Sequence, residues 1–564
     1  MMEQAPILII ITPLMGALLL EIISKLNPPE RVEDFLTLIS LTIPVLLMFF
    51  YAPGALDSPI IYELGGWARP YGISLVLDSL SVLMASIVGI VTLSTFAYSL
   101  EARDMLPKGE KYYFLYLFMT TGLYGVFLTG DLINRYVFFE LTVLTTYVLL
   151  TYTGEKESLR ASYYYLIIGS VASFLFLIGI GLLYFNTGYL DIKALSTVTP
   201  DLSSTTRIII FSFFFVAVGV KAGLIPFHTW LPKAHVSAPT PMTAVLAGVT
   251  VKTGIYIMIK MLMIGFDINV ILNLLIIFGL STALIGVIIT FFFWNIKRIL
   301  AWHTVSQIGL IIACISLWTP ESISASLYHM VNHALFKTLL FLSAGAFAYT
   351  YKTWDIRKLP LLRGNLILVT TLLIGFLSLV GVPPLNGFYS KSFIFYAFTG
   401  NKILLSLLFL IQLLIILSVI RIFYYSYKRR HHREAPVSIL KPLVVLAGLC
   451  IFVGATSTIW MKNVIVPAGK VIVDQSAIEP GIYLELTTLV NVGGLTILAT
   501  IPLGLFLFFF KKKMGKKRMF ENIFTKLKNR LEYYLRLFLV DVELTDAIRY
   551  VIFGQLLLLL LILL

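Results

Sequence analysis

Apolar positions in this chain do not alternate as on a half-buried strand, nor recur every three to four residues as on a soluble helix. They come in continuous runs of roughly 18–25 residues, the length a helix needs to cross about 30 Å of hydrocarbon. About sixteen such runs can be placed, from one centred near Ile11 to one near Leu557. The loops between them are short, and basic residues are spread among them unevenly. Loops after odd-numbered runs hold roughly two dozen Lys and Arg, those after even-numbered runs about seven, with Lys428-Arg429-Arg430 and Lys511-Lys512-Lys513 dominating the rich side. Basic loops stay in the cytoplasm, so the pattern predicts an N-terminus outside and odd-numbered loops inside. The first run, Ala5 to Leu20, follows Glu3 rather than a basic stretch. It therefore reads as a retained helix and not a secretory signal.

Two runs are interrupted. The seventh reads Lys221-Ala-Gly-Leu-Ile-Pro226-Phe-His228-Thr-Trp230-Leu-Pro232, and the twelfth Gly381-Val-Pro383-Pro384-Leu-Asn-Gly387-Phe-Tyr-Ser-Lys391. Proline removes a backbone donor and clashes with the preceding turn. Broken backbone survives in a membrane only when buried in protein or lining a wet cavity. Interrupted helices at matching places in two halves point to an inverted repeat. The breaks lie five runs apart, and an odd offset turns the second copy upside down. The expected fold is thus an all-α membrane protein of about sixteen transmembrane helices with two inverted five-helix repeats, each containing a discontinuous helix. Residues 1–110 hold helices one to three, 111–265 the first repeat, 266–427 the second, and 428–510 two further helices. A lateral-type helix (511–546) and a last span (547–564) follow. The plainer alternative is two ordinary proline kinks.

Composition agrees with this pattern. Of 564 residues 59% are hydrophobic and only 13% charged, against about 25% charged in a typical soluble domain. A net charge of +14 could suggest nucleic acid, but its place in loops between apolar runs marks it as a topology signal. Cys314 and Cys450, the two cysteines, both lie in apolar runs. Two cysteines cannot ligate an iron–sulfur cluster, and their placement argues against a disulfide.

The chemistry lies in charges that should not be there. Glu140 is central in the fifth run, Lys221 precedes the first break, and Lys252 is central in the eighth run. Each costs about 2.5–3.5 kcal/mol at mid-membrane, a large share of a fold's usual margin of about 5–15 kcal/mol. A Glu–Lys pair of variable separation is a proton switch: closing it holds the proton on lysine, opening it releases the proton. The rival reading is a static ion pair pinning two helices. Lys260, two turns beyond Lys252, is expected to snorkel to the interface, and Asp78 to cap or pair. Spacings of four put His329, His333 and Lys337 on one helical face, a stripe suited to proton relay; a metal held by the two histidines is the alternative. His228 and His235 flank the first break, where they either relay protons or bond freed backbone groups. Lys297-Arg298 reads as a topology signal. No phosphate loop, nucleophile triad or cofactor motif is present. Any energy source is thus expected on partners.

These residues resemble a known family: the proton-translocating L, M and N type membrane subunits of respiratory complex I and the large subunits of Mrp cation/proton antiporters. The resemblance covers roughly residues 70–430. Its motifs are Phe-Phe-Glu140-Leu; Lys221-x-x-x-x-Pro226-x-His228-x-Trp230-Leu-Pro232; Ala238-Pro-Thr-Pro241 leading to Lys252; and Asn295-Ile-Lys297-Arg298-Ile-Leu-Ala-Trp-His-Thr-Val-Ser306-Gln-Ile-Gly309. Asn332-His333-Ala-Leu-Phe-Lys337 and the Gly381-to-Lys391 segment complete the set. The resemblance implies one half-channel around Glu140 and Lys221 and a second ending at Lys391. A polar axis through Lys252, His329, His333 and Lys337 would join them, and Lys297 belongs to that axis in several members. Many members carry an acidic residue where Lys233 stands. Phe520, Phe524, Leu527, Leu531, Leu535 and Phe538 share one face of an amphipathic stretch, resembling a short version of the lateral helix of the L-type subunit; lying on the chain's own surface is the alternative.

Three functions follow as expectations. The first is an antiporter-like subunit of a complex I-related respiratory complex, moving protons or sodium in a plasma membrane. Its partners would be other membrane subunits, the lipid bilayer and a peripheral iron–sulfur redox module, and it would hold no cofactor or metal itself. The second is a subunit of a stand-alone Mrp-type antiporter without redox chemistry. The third, a structural subunit that has lost conduction, is disfavoured by the intact set of buried Glu, Lys and His.

Overall fold

The computed structural model describes residues 3–26, 29–103, 111–152, 154–266, 268–362, 364–426, 436–473, 493–495, 497–506 and 542–563. The chain opens with α1 (Ala5–Ser24) and α2 (Glu30–Asp57). A short antiparallel hairpin, β1 (Ile60–Glu63) and β2 (Ser74–Leu77), leads to α3 (Ser79–Glu101). Then come α4 (Tyr112–Leu128), α5 (Leu132–Thr151), α6 (Lys156–Thr187), α7 (Ile192–Val198) and α8 (Ser204–Ala222). After the first break lie α9 (Trp230–Ser237), α10 (Thr240–Val245) and α11 (Val251–Met263). Next are α12 (Ile268–Ile289), α13 (Ile296–Ile315), α14 (Pro320–Tyr351) and α15 (Leu366–Val380). The second break precedes α16 (Asn386–Ala397), which is followed by α17 (Lys402–Ser426), α18 (Val437–Ala455), α19 (Ser457–Trp460), α20 (Val466–Lys470) and α21 (Leu544–Leu563).

Among the described residues twelve helices are long and apolar enough to cross a membrane, and shorter apolar helices include Tyr112–Leu128 and Leu366–Val380. The protein is therefore a helical, multi-pass membrane protein. Its burial runs opposite to its polarity. The segments spanning α10–α11, α13 and α14, which carry the buried lysines and histidines, are almost wholly enclosed. The more apolar α6 and α17 leave much of their surface outward. Outward leucines and isoleucines suit lipid, whereas a buried ammonium needs protein dipoles around it.

Local chemistry sets the helix ends. Asp78 and Ser81 form a reciprocal capping box at α3, and Thr319 and Ser322 another at α14, each satisfying orphan backbone donors. Asp131 caps α5 and Asp191 caps α7; residues 131 and 191 also pair as an isolated antiparallel bridge. The same device recurs at Asn295, the cap of α13, which bridges to Asp355. Leu132 and Ile192 exchange main-chain bonds with the neighbouring segment at the first site, and Ile296 and Ile356 do so at the second.

The breaks share a second device. The α8 helix stops at Gly223, whose φ of 77° and bond to the Gly219 carbonyl close the helix; α15 stops at Gly381, φ 87°, bonded to the Leu377 carbonyl. Both are left-handed caps that a side chain would strain. Pro226 then lies between α8 and a short 3-10 turn, Phe227–Thr229, while Pro383 and Pro384 occupy the turn before α16. Gly387 sits not in the break but in the first turn of α16. A Cβ there would overlap the Ser378 carbonyl oxygen.

The amphipathic stretch from Phe520 to Asp541 lies outside the described residues, as do Lys428–Arg430 and Lys511–Lys513. The last helix, α21, is described and packs on the chain's own α8 and α6. Gln555 donates to Ser212 at 2.7 Å, and the Lys233 ammonium bonds the Val542 carbonyl above the Tyr164 ring.

Candidate functional site

Helices α5, α8, α9, α11, α13, α14 and α16 bring charged groups and imidazoles into the interior. On α8, Lys221 is buried, donates to the Tyr165 hydroxyl at 3.1 Å and lies 4.8 Å from the Phe139 ring centre. Glu140, on α5, leaves its buried Oε1 without a hydrogen-bond partner. It is near enough for its charge to act on Lys221, yet among the described residues no carboxylate lies within ion-pairing distance of that lysine. The pair is thus open, with Tyr165 on the lysine. A small cavity lined by Phe139, Val143, Tyr165, Lys221 and Trp230 adjoins it. Trp230 donates its indole N–H to the Val220 carbonyl at 2.6 Å, satisfying an acceptor at the end of α8.

Lys252 follows a π-helical turn, Leu246–Thr250, and its ammonium bonds the Ala247 carbonyl. A π turn offers a main-chain carbonyl outside the regular ladder. Lys297, whose position reads as a topology signal and which the resemblance places in the axis, is buried: its ammonium bonds the Ala238 carbonyl just past α9, with the Val236 carbonyl at 3.4 Å. The C-terminal carbonyls of a helix carry partial negative charge and suit a cation. Lys337 donates to the Leu300 carbonyl at 2.9 Å. Lys391 donates to the Leu379 carbonyl at 2.6 Å and to Gln412 Oε1 at 2.8 Å. Among the described residues none of these four lysines has a carboxylate within ion-pairing distance. Backbone dipoles, several of them freed by helix ends, stand in for counter-ions.

The histidines lie between the lysines. His329 meets Ser390 Oγ at 2.9 Å through Nδ1 and Gln307 Oε1 at 3.1 Å through Nε2. His333 lies with its ring centre 6.3 Å from that of His329, and neither of its nitrogens has a partner. His235 stacks on Phe341 at 5.0 Å, also with both nitrogens unpartnered. The charges of Lys252, Lys297 and Lys337 all bear on His235, and those of Lys252, Lys337 and Lys391 on His333. His228 is buried, 5.0 Å from the Trp302 ring centre. The ring nitrogens of His235 and His333 are therefore open to a further hydrogen-bond partner.

One sequence expectation is corrected here. Lys260 does not snorkel: it is buried, 3.8 Å from the Asp78 carboxylate and 5.4 Å from the Tyr256 ring centre. Asp78 thus caps α3 and pairs at once. Sequence reasoning also missed Gln307, Gln412, Ser390 and His303. All are neutral or were quoted only inside a motif, so no charge in an apolar run marked them. Residues 329 and 333 do not share a metal-like centre with acids; among the described residues no three His, Cys, Asp or Glu converge that could hold an ion.

Comparison with known proteins gives the same family from independent grounds. Residues 129–418 match the family model described as NADH:quinone oxidoreductase/Mrp antiporter, transmembrane. The D-type subunit of a Na(+)/H(+) antiporter of Alkalihalophilus pseudofirmus is 32% identical over 502 residues, covering 86% of this chain and 99% of that protein. The D-type Na(+)/H(+) antiporter protein of Bacillus subtilis is 32% identical over 405 residues, 69% of this chain and 82% of that protein. Among solved structures, a chain of the membrane-bound sulfane sulfur reductase, an archaeal respiratory membrane complex, is 27% identical. It superposes with a TM-score of 0.78 over 86% of this chain and 99% of that one. A chain of the Mrp complex from Dietzia sp. shares the fold, with a TM-score of 0.76 at 22% identity over 87% of this chain and 99% of that one.

Proposed function

The chain belongs to the NADH:quinone oxidoreductase/Mrp antiporter family of membrane subunits, and from that premise we propose that it moves protons through two half-channels joined by its buried lysine–histidine axis. The observation that carries this reading is the row of Lys252, Lys297, Lys337 and Lys391, each held by main-chain carbonyls rather than carboxylates. A lysine with a fixed carboxylate partner is trapped in its charged form, whereas one held by dipoles can give its proton away when a neighbouring charge changes. Glu140 and Lys221 form the switch of the first half. Lys391 ends the second half, and His329, His333 and Lys337 relay between them with Lys252. His228 and Lys297 serve the same path.

The inverted repeat, residues 111–265 against 266–427, is supported by register. Asp131 and Asp191 stand to Asn295 and Asp355 as Gly223 and Pro226 stand to Gly381 and Pro384. With helices flanking the repeats (1–110, 428–510 and 547–564) the full span count is about sixteen. The asymmetry of basic loops supports an N-terminus outside and placement in the plasma membrane.

The driving partner divides the reading in two. In the first, a peripheral iron–sulfur module on other subunits drives the ion; a neighbour in a sulfane sulfur reductase complex favours it. In the second, the chain works in a stand-alone sodium/proton antiporter, favoured by its relatives of the D-type Na(+)/H(+) antiporter class. Purifying the native assembly and assaying iron and acid-labile sulfide separates them. Co-purifying clusters support the first reading, and an assembly of small hydrophobic subunits without iron supports the second.

A further inference from the structure

His303 lies in the Asn295-to-Gly309 motif but has no part in the axis described above. It is wholly buried on α13, three residues beyond Leu300, whose carbonyl holds Lys337. Its Nε2 lies 3.1 Å from Ser418 Oγ on α17, and Ser418 Oγ lies 2.9 Å from Thr290 Oγ1, just past α12. Its Nδ1 has no partner. The charged groups bearing on the ring are Lys337 from α14 and Lys391 from α16. Imidazole and two hydroxyls in line form a continuous hydrogen-bonded chain, and each member can both accept and donate.

Arg421 closes the far end of that chain. Arg421 donates to the Thr290 carbonyl at 3.1 Å and to the Phe293 carbonyl at 2.8 Å. It lies 4.3 Å from the Trp294 ring centre, and Arg357 lies 4.8 Å from the same ring. Guanidinium stays charged at any physiological pH. Arg357 is itself paired with Asp355 at 2.6 Å; selectivity comes instead from the line of touching groups, which leaves no room for a metal cation yet passes protons by exchange along its hydrogen bonds.

Resting on the axis reading above, we propose that His303 is the residue through which Lys337 and Lys391 are reloaded, taking protons, and not sodium, from the Arg421 end by way of Thr290 and Ser418. In the starting tautomer Nδ1 carries the proton and Nε2 accepts from Ser418. The Thr290 hydroxyl, which rests on the Val287 carbonyl at 2.6 Å, turns to Ser418 and passes its proton there as Ser418 passes its own to Nε2. The imidazolium then releases the Nδ1 proton to water leading to the lysines, and Thr290 regains a proton from water at the Arg421 end. The ring returns to its first tautomer by turning Nε2–H to water, which takes that proton and returns one to Nδ1, and then turning back. No charge is left behind in the branch. The competing explanation is a clamp that merely ties α12, α13 and α17 together.

The test uses the native complex reconstituted into lipid vesicles, with proton flux read by an entrapped pH dye and assembly read by gel filtration. Thr290→Val keeps shape and removes the hydroxyl; Thr290→Ser keeps the hydroxyl and alters shape. Ser418→Ala, His303→Gln and Thr290→Val are expected to assemble and to lose proton flux by about tenfold or more, with Thr290→Ser close to the parent. Assembled Thr290→Val and Ser418→Ala complexes conducting like the parent, while Glu140→Gln is blocked, would overturn the branch and leave the axis standing. Parental flux in Glu140→Gln as well would remove the axis and the branch together. Failure of Thr290→Val to assemble where Thr290→Ser assembles would establish the clamp instead.

Discussion

A buried lysine in this protein is stabilised by carbonyl oxygens, and that choice of partner decides what each substitution does. Lys221→Ala removes the charge that Glu140 acts on. Glu140→Gln keeps the shape and removes the charge. Both variants are expected to assemble with ion flux abolished; normal flux from either assembled variant would sink the switch. Lys391→Ala leaves Gln412 facing an empty site, and flux through the second half is expected to stop with Glu140 and Lys221 intact. Unchanged flux would take Lys391 out of the path. Glu140, Lys221, Lys252 and the His329–Lys337 face were legible in the sequence because a charge or imidazole inside an apolar run is costly and conspicuous. Lys260 was misjudged, and Lys297 left between two readings, for a physical reason: position along a span gives depth, but not whether the side chain faces lipid or protein. Asp78 and the carbonyls past α9 settle that. Gln307, Gln412 and Ser418 gave no signal, because a neutral polar residue in a membrane helix is ordinary until its partner is known.

At the scale of elements, the two breaks depend on different glycines in different ways. Gly223 and Gly381 hold positive φ, so alanine there is expected to cost about 1 kcal/mol and leave a folded complex. Gly387 has an ordinary helical backbone but presses on the Ser378 carbonyl. Its replacement by alanine must push α16 away from α15, an overpacking penalty of about 1–3 kcal/mol. Lower thermal stability of the purified complex than for Gly223→Ala is the expected result; equal stability would show that α16 can shift freely. Proline and glycine spacing foretold both interruptions, since neither residue continues a helix. The π turn before Lys252 was not foretold, because Leu246–Thr250 contains no residue that forbids an ordinary α-helix. Packing imposed it.

At the scale of the whole molecule, α21 returns from beyond the second break to lie against the first. Gln555 and Ser212 share a buried hydrogen bond, and a Cβ on Gly554 would meet the Phe227 ring. Gln555→Leu removes this bond while Ser212 still donates to the Ile209 carbonyl at 2.7 Å, a loss of about 0.5–1.5 kcal/mol. It is expected to release α21 to proteolysis in detergent while the core around α13 and α14 stays protected. Undiminished protection of α21 would mean that other contacts hold it. Lys233, where the resemblance implies an acidic residue in many members, bonds the Val542 carbonyl just before α21. The sequence by itself determined the solvent of this protein, its helical class, the places where two helices stop, and the charges that membrane burial makes expensive. All of these follow from local rules: run length, proline and glycine geometry, and the cost of charge in hydrocarbon. Only the tertiary structure decided which groups meet. The carbonyls offered to Lys297 and Lys337, the open Glu140–Lys221 pair, and the line from His303 through Ser418 to Thr290 each join segments far apart in the chain. No periodicity within one helix encodes the rotation that turns its polar face toward another.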